Sequence, residues 1–268
     1  MNVRKRIFNS DKMIPDMKAK DEKVSYPILN EAGSVQVEST GAPVKYEGIS
    51  VDSIFPVLCP NKNSFMDVTT VITVSRAAQL MKKNLLFLTD EKFGVLNSRT
   101  SLYQVLKENL KIITGQDVNE CRALMLDSDM MIKSSAEELA AWFTEADKNK
   151  WNLIGNYRTI INRDLEKGIT VTNMILRPNK NLYEEEYGRK YYYYENYTDK
   201  EIAELKFGDS LGDSVAGLGF YYGDCPLDYK FYFDLYGEDF NFFRDMQVKG
   251  KEFRFIPVKN RHTKSVIL

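Results

Sequence analysis

Cys121-Arg122-Ala123-Leu124-Met125-Leu126-Asp127-Ser128-Asp129-Met130-Met131-Ile132 decides how this chain is read. Ala123 to Leu126 is a short unbroken apolar run, as expected of a strand buried on both faces, and two carboxylates follow it at once. If the chain stays extended past Leu126, the side-chain period of two puts Asp127 and Asp129 on one side and Ser128 on the other. Two like charges that close repel, and a hard divalent cation with oxygen ligands relieves the repulsion. In an open sheet of parallel strands, the carboxyl ends are where ligands bind. The same acids also suit a turn, or a cap for a helix starting near Ser134.

Size and composition narrow the classes. At 268 residues the chain is long enough to bury a sizeable core, as one large domain or a domain with an extension. A 43% hydrophobic and 28% charged composition is that of an ordinary globular protein. The formal net charge of −1 gives no global attraction for nucleic acid or anionic membranes. Cys59, Cys121 and Cys225 are too few and too scattered for a disulfide framework or zinc knuckle, which favours a reducing, cytoplasmic setting. No apolar run has the length of a membrane span, so the expectation is a soluble protein.

Taken in order, residues 1–48 are polar and broken by Pro and Gly, an N-terminal extension with a short hairpin expected around Ser34 to Val44. From residue 49 a second unit runs to 268. Ile54 to Cys59 reads as a buried strand, Phe65 to Lys83 as a helix and Leu85 to Thr89 as a strand. Asn97-Ser98-Arg99 precedes a helix expected from Ser101 to Leu110. A helix from Ser134 to Asn149 follows the acidic pair, capped by Ser134 or Ser135. Trp151 to Tyr157 and Gly168 to Leu176 read as strands. Tyr191 to Tyr194 is either a strand with one face on the core or an exposed aromatic platform. Thr198 to Phe207 reads as a short capped helix, Phe240 to Lys249 as a longer one, and Lys251 to Val258 as a strand. Alternation of strands and helices predicts an α/β fold, a mostly parallel central sheet flanked by helices.

The order of pieces resembles the metal-dependent nucleotide-sugar glycosyltransferases of the GT-A (Rossmann-like) fold. The residues that carry the likeness are a first strand ending in Pro60, Asn97-Ser98-Arg99, Leu126-Asp127-Ser128-Asp129-Met130, Ala216-Gly217-Leu218-Gly219-Phe220, Gly237-Glu238-Asp239-Phe240 and a late His262. The likeness spans about Val51 to the C-terminus and leaves out the extension. It implies transfer of a sugar from a UDP- or GDP-sugar to a hydroxyl of a glycan, protein or small-molecule acceptor. It implies Mn²⁺ or Mg²⁺ as cofactor, with Asp129 as ligand and Asp127 on the metal through water or on the ribose. His262, the one histidine of the chain, is either the third metal ligand or an ordinary surface residue. The nucleotide side would comprise Pro60, Asn61, Arg99, Asp127, Ser128 and Lys264. Gly217 and Gly219 would let backbone approach the donor sugar. Glu238 and Asp239 fall where the likeness expects the catalytic carboxylate, Asp239 being the base candidate. Asp239 equally suits an N-cap for the following helix.

Competing readings share the acidic pair. In haloacid-dehalogenase-like phosphatases the pair sits on the first strand and has Thr or Val two residues after its second Asp, whereas here two strand-and-helix units precede it and Met131 stands in that place. Nucleotidyltransferases use paired acids too, but no Gly-rich phosphate loop occurs near residue 60. A non-catalytic binding or assembly module on the same fold is the third.

Overall fold

The structure is a computed structural model that describes residues 3–8, 28–29, 35–36, 49–60, 67–90, 95–155, 159–161, 169–171, 175–186, 189–233 and 237–262. In chain order the elements begin with β1 (Val3–Phe8), β2 (Ile28–Leu29), β3 (Val35–Gln36) and β4 (Ile54–Pro60), then α1 (Val68–Leu80), β5 (Asn84–Asp90) and α2 (Val95–Thr114). The acidic stretch supplies β6 (Glu120–Leu126) and β7 (Met130–Ile132), followed by α3 (Ala136–Asn149), β8 (Asn152–Gly155), β9 (Thr159–Ile161) and β10 (Ile169–Val171). Next are β11 (Ile175–Glu186), β12 (Arg189–Asn196), α4 (Asp199–Glu204), β13 (Val215–Ala216), β14 (Phe220–Pro226), α5 (Glu238–Val248), β15 (Phe253–Ile256) and β16 (Asn260–His262).

The main sheet has the order β1-β5-β4-β6-β14-β8-β15. β4 pairs parallel with β5 and β6, and β15 pairs parallel with β8. β14 runs antiparallel to both β6 and β8, so those two point the same way, and β1 runs antiparallel to β5. Five of the seven strands therefore share one direction, as the strand-helix alternation requires. Alternate residues face opposite layers: Leu58, Met125 and Tyr221 pack with α2 and α5 residues such as Leu106 and Phe242. Phe55, Leu124 and Tyr222 pack with α1 and α3 residues such as Ala77 and Phe143. The result is helices on both faces of one mixed sheet.

Local signals explain the helix ends. Asp67 caps α1 by accepting from the Thr70 amide at 2.9 Å, and Ser135 closes a capping box with Glu138 on α3, as expected for one of the two serines. Thr198 does the same with Glu201 for α4. At the other end of α3, Lys150 adopts the left-handed conformation with φ 58°, where glycine is the usual residue. Replacing Lys150 by Gly should stabilise the protein by up to about 1 kcal/mol, read as a raised chemical-denaturation midpoint.

Several expectations are corrected. The polar N-terminal stretch contributes β1 to the main sheet's edge, from Val3 opposite Asp90 to Phe8 opposite Leu85. A short antiparallel pair joins Ile28–Leu29 to Val35–Gln36, while most of the 34–44 stretch where a hairpin was expected lies outside the described residues. Asn97-Ser98-Arg99 lies inside α2, which starts earlier and ends later than its periodicity implied. The run 168–176 supplies parts of two strands in different sheets. The tyrosine run is β12, paired with β11; Tyr194 packs edge-on against Phe240 at 5.3 Å, while Tyr193 is exposed. The core-facing reading of that strand holds for Tyr194.

The amino ends of the strands are tied by an ion-pair network around Asp147, beside a cavity of about 700 Å³. Asp147 accepts from Arg122 Nε at 2.7 Å, from Tyr222 Oη at 2.5 Å and from Lys83. Arg122 also reaches Asp224 at 3.0 Å. Burial opposes the Asp147 charge, but the hydrogen bonds from Lys83, Tyr222 and Arg122 outweigh it and hold its carboxyl below the usual value. A depressed folded value means stability that is present above the unfolded value of about 3.9 and lost as pH falls below it. Asp147→Asn should cost about 2–4 kcal/mol at neutral pH. It should also flatten the acid limb of stability against pH, and equal slopes in both proteins would discount the network.

Candidate active site

The chain leaves β6 by turning, because the Met130 amide returns to the Asp127 carbonyl at 3.1 Å. This corrects the extended geometry expected for the acidic pair: Asp127, Ser128 and Asp129 are not arranged as alternating strand residues. Ser128 and Asp129 are buried within the turn, at 3% and 1% exposure. β7 is then fixed from both sides. Thr70 of α1, fully buried, accepts from the Ile132 amide at 2.9 Å, and β16 pairs with β7 so that His262 lies opposite Met130. The backbone of the sole histidine is thus one residue from Asp129 in register, although 133 positions later in the sequence.

Arg99 organises the rest. It sits on the buried face of α2 with Leu102, Tyr103 and Leu106, three, four and seven positions on, and only 1% of it is exposed. Its guanidinium bonds Asp127 at 3.0 Å, Glu238 at 2.8 Å, and Asp239. These partners come from the turn after β6 and the first turn of α5. Arg99 was expected to reach the base or phosphates of a nucleotide; its guanidinium meets three carboxylates.

A fully buried arginine is tolerated only when its charge is matched, and here the acids exceed it. Desolvation works against the guanidinium charge, but Asp239, Asp127 and Glu238 together raise its pKa. Asp127, Glu238 and Asp239 supply three carboxyl groups around it, and Asp129 follows two residues after Asp127. Burial raises the pKa of Asp239, opposed by Arg99 and reinforced by Glu238 and Asp127, while the Leu218 amide favours its charged form. Cys59, at the end of β4, is pushed well up by burial and by the nearby charges of Asp127 and Asp129, so it is no thiolate.

The Gly217-Leu218-Gly219 loop enters through its backbone. The Gly219 carbonyl accepts from the Asp127 amide at 3.2 Å, and Phe220 pairs with Leu126. Asp239 is not the cap of α5: Gly237, with φ 89°, holds that position, and Glu238 and Asp239 are the first residues inside the helix. That helix end favours carboxylates on its own account. Pro60 ends β4 buried and opposite Asp90. Asn61, Lys264 and the side chain of His262 lie outside the described residues.

One corner at the carboxyl ends of β4 and β6 therefore collects Arg99, Asp127, Asp129, the Leu218 amide, Glu238 and Asp239. The sequence did not single out Cys59, Thr70 or the Leu218 amide. Thr70 carried no signal beyond its helix, and a backbone donor carries none.

No protein-family model matches this chain, and no curated protein matches it. Among the described residues no helix is long and apolar enough to cross a membrane.

The donor chemistry suits a hard cation: oxygen ligands, and one guanidinium against the three carboxyls it meets, leave an excess of negative charge. Among the described residues no three His, Cys, Asp or Glu side chains close on a single point. One or two carboxylates are what a protein contributes when substrate phosphates complete the coordination of Mg²⁺.

Proposed function

We propose that this chain is a metal-dependent glycosyltransferase of the GT-A kind, moving a sugar from a nucleotide diphosphate sugar to an acceptor hydroxyl. The observation that supports the reading best is the convergence on Arg99 of Asp127 with Glu238 and Asp239. It joins the acid after a buried strand to the acids of a helix start more than a hundred residues away.

In this reading Asp127 and Asp129 are the protein ligands of Mn²⁺ or Mg²⁺, with His262 as the further candidate. The bound cation supplies charge neutralisation for the leaving diphosphate. The protein's own part is to fix the acids and to handle the proton. Asp239 accepts the proton of the acceptor hydroxyl as that oxygen bonds to the anomeric carbon; the bond from that carbon to the diphosphate oxygen breaks, and the nucleoside diphosphate leaves. This balance describes the inverting case. In a retaining enzyme the same acid binds the acceptor hydroxyl instead. Arg99 keeps a cation beside Asp239, which helps a desolvated carboxyl to remain a proton acceptor.

Calorimetry with Mn²⁺ and a panel of UDP- and GDP-sugars is the direct test. Metal-dependent binding of one donor, with slow hydrolysis that Asp129→Ala abolishes, is the expected result. Release of phosphate from simple esters would point to the phosphatase class. No binding of any nucleotide-sugar to the folded protein would end the glycosyltransferase reading.

A further inference from the structure

We propose that the groove between α4 and the turn joining β15 to β16 binds a single-chain amphiphile bearing a phosphate head group. The first observation is a like-charged pair. β16 and β7 are antiparallel with Asn260 opposite Ile132, which brings Lys259 opposite Lys133 one step further along. The pairing is firm: the Lys133 and Ser134 amides both donate to the Lys259 carbonyl, at 2.6 and 3.1 Å, and the Lys259 amide donates to the buried Ser134 hydroxyl at 2.8 Å.

Both lysines lie just beyond the ends of the paired strands and both line the groove, and like charges so close are destabilising. Both lysines are exposed at the groove and neither makes an ion pair with a carboxylate among the described residues. Of the acids of α4, Glu201 is paired with Arg177 at 2.7 Å. Two ammonium groups lining one groove without an acid are suited to an anion with more than one acceptor oxygen, which phosphate provides.

The second observation is what lies beside them. The groove has a volume of about 500 Å³ and is otherwise bounded by Ile202, Ala203, Leu205, Phe255, Pro257 and Val258, with Asn260 as its other polar residue. Among the described residues no acidic side chain lines it. A site of this size, apolar with a few convergent polar groups, has the character of a small-molecule pocket. Head and tail are therefore matched separately: the lysine pair to the phosphate, the aliphatic and aromatic walls to one alkyl chain. None of these residues belongs to the acidic cluster around Arg99, so the inference stands independently of the glycosyltransferase reading.

The test is calorimetric titration of the full chain with dodecyl phosphate below its micelle concentration. The expected result is saturable binding at one site, weakened roughly tenfold or more by the double substitution Lys133→Gln and Lys259→Gln, and by raised salt. Ala203→Trp, at an exposed position, should block the groove while leaving the circular dichroism spectrum unchanged. Dodecyl maltoside, with the same tail and no charge, should bind at least roughly tenfold more weakly, and inorganic phosphate should give no saturable heat. Equal affinity of the double variant, equal binding of the maltoside, silence with dodecyl phosphate, or binding confined to phosphatidic acid vesicles would each overturn the proposal.

Discussion

Arg99→Met should lower the unfolding free energy by about 3–5 kcal/mol, the largest single-residue effect expected in this protein. Methionine fills the volume of the side chain, so little of the loss comes from a cavity. It comes from Asp127, Glu238 and Asp239, which lose the buried cation they share. Burial already raises the pKa of Asp239, and removal of Arg99 takes away the charge that opposes this. The destabilisation should therefore shrink at low pH, where the acids are protonated. Denaturation midpoints at neutral and acid pH check both statements, and a loss that does not vary with pH would mean that Arg99 acts by packing alone. Arg99→Lys should recover only part of the loss, since an ammonium does not reproduce the planar fork that spans two helices and a turn.

Asp239→Asn should slow sugar transfer by about 10²–10⁴-fold while leaving donor binding within a small factor of the parent. Asparagine keeps the shape and one acceptor oxygen, so the fold and the Leu218 amide contact survive, but it takes no proton. Transfer rates and calorimetric donor affinities on the same preparation separate the two quantities. A comparable fall in both would strip Asp239 of the role of base and leave it a part of the donor site. Glu238→Gln gives the internal comparison: Glu238 shares the guanidinium but is the less exposed of the two, 12% against 27% at the side chain. Its loss should affect stability more than rate.

Much of the scaffold was legible because its signals are local. The buried strands at 54–60, 84–90 and 120–126 contain unbroken apolar runs at 54–59, 85–88 and 123–126, and a run of that kind is explained by burial on both faces whatever it packs against. The caps Ser135 and Thr198 each carry a glutamate three residues on, a pattern that works within one turn. Where the reading failed, the deciding contact lay elsewhere in the chain. β1 is polar and charged in sequence, and only pairing with β5 makes it a strand. Asn97-Ser98-Arg99 offers weak helix formers, yet Arg99 is drawn into α2 by three distant acids. The turn at Asp127 was hidden for the same reason: extended and turned backbones are equally compatible with Asp-Ser-Asp, and Thr70, Gly219 and Arg99 select one.

By itself the sequence determined the alternation of strand and helix, the apolar faces that make a sheet covered on both sides, and the presence of acids beyond the third buried strand. Tertiary structure alone decided that those acids meet Glu238 and Asp239 through one guanidinium, and that Lys133 stands opposite Lys259. Periodicity and capping act over one or two turns and leave their mark in neighbouring residues. A charge cluster assembled from α2, β6 and α5 leaves none, because its energy depends on distances that only the folded sheet sets.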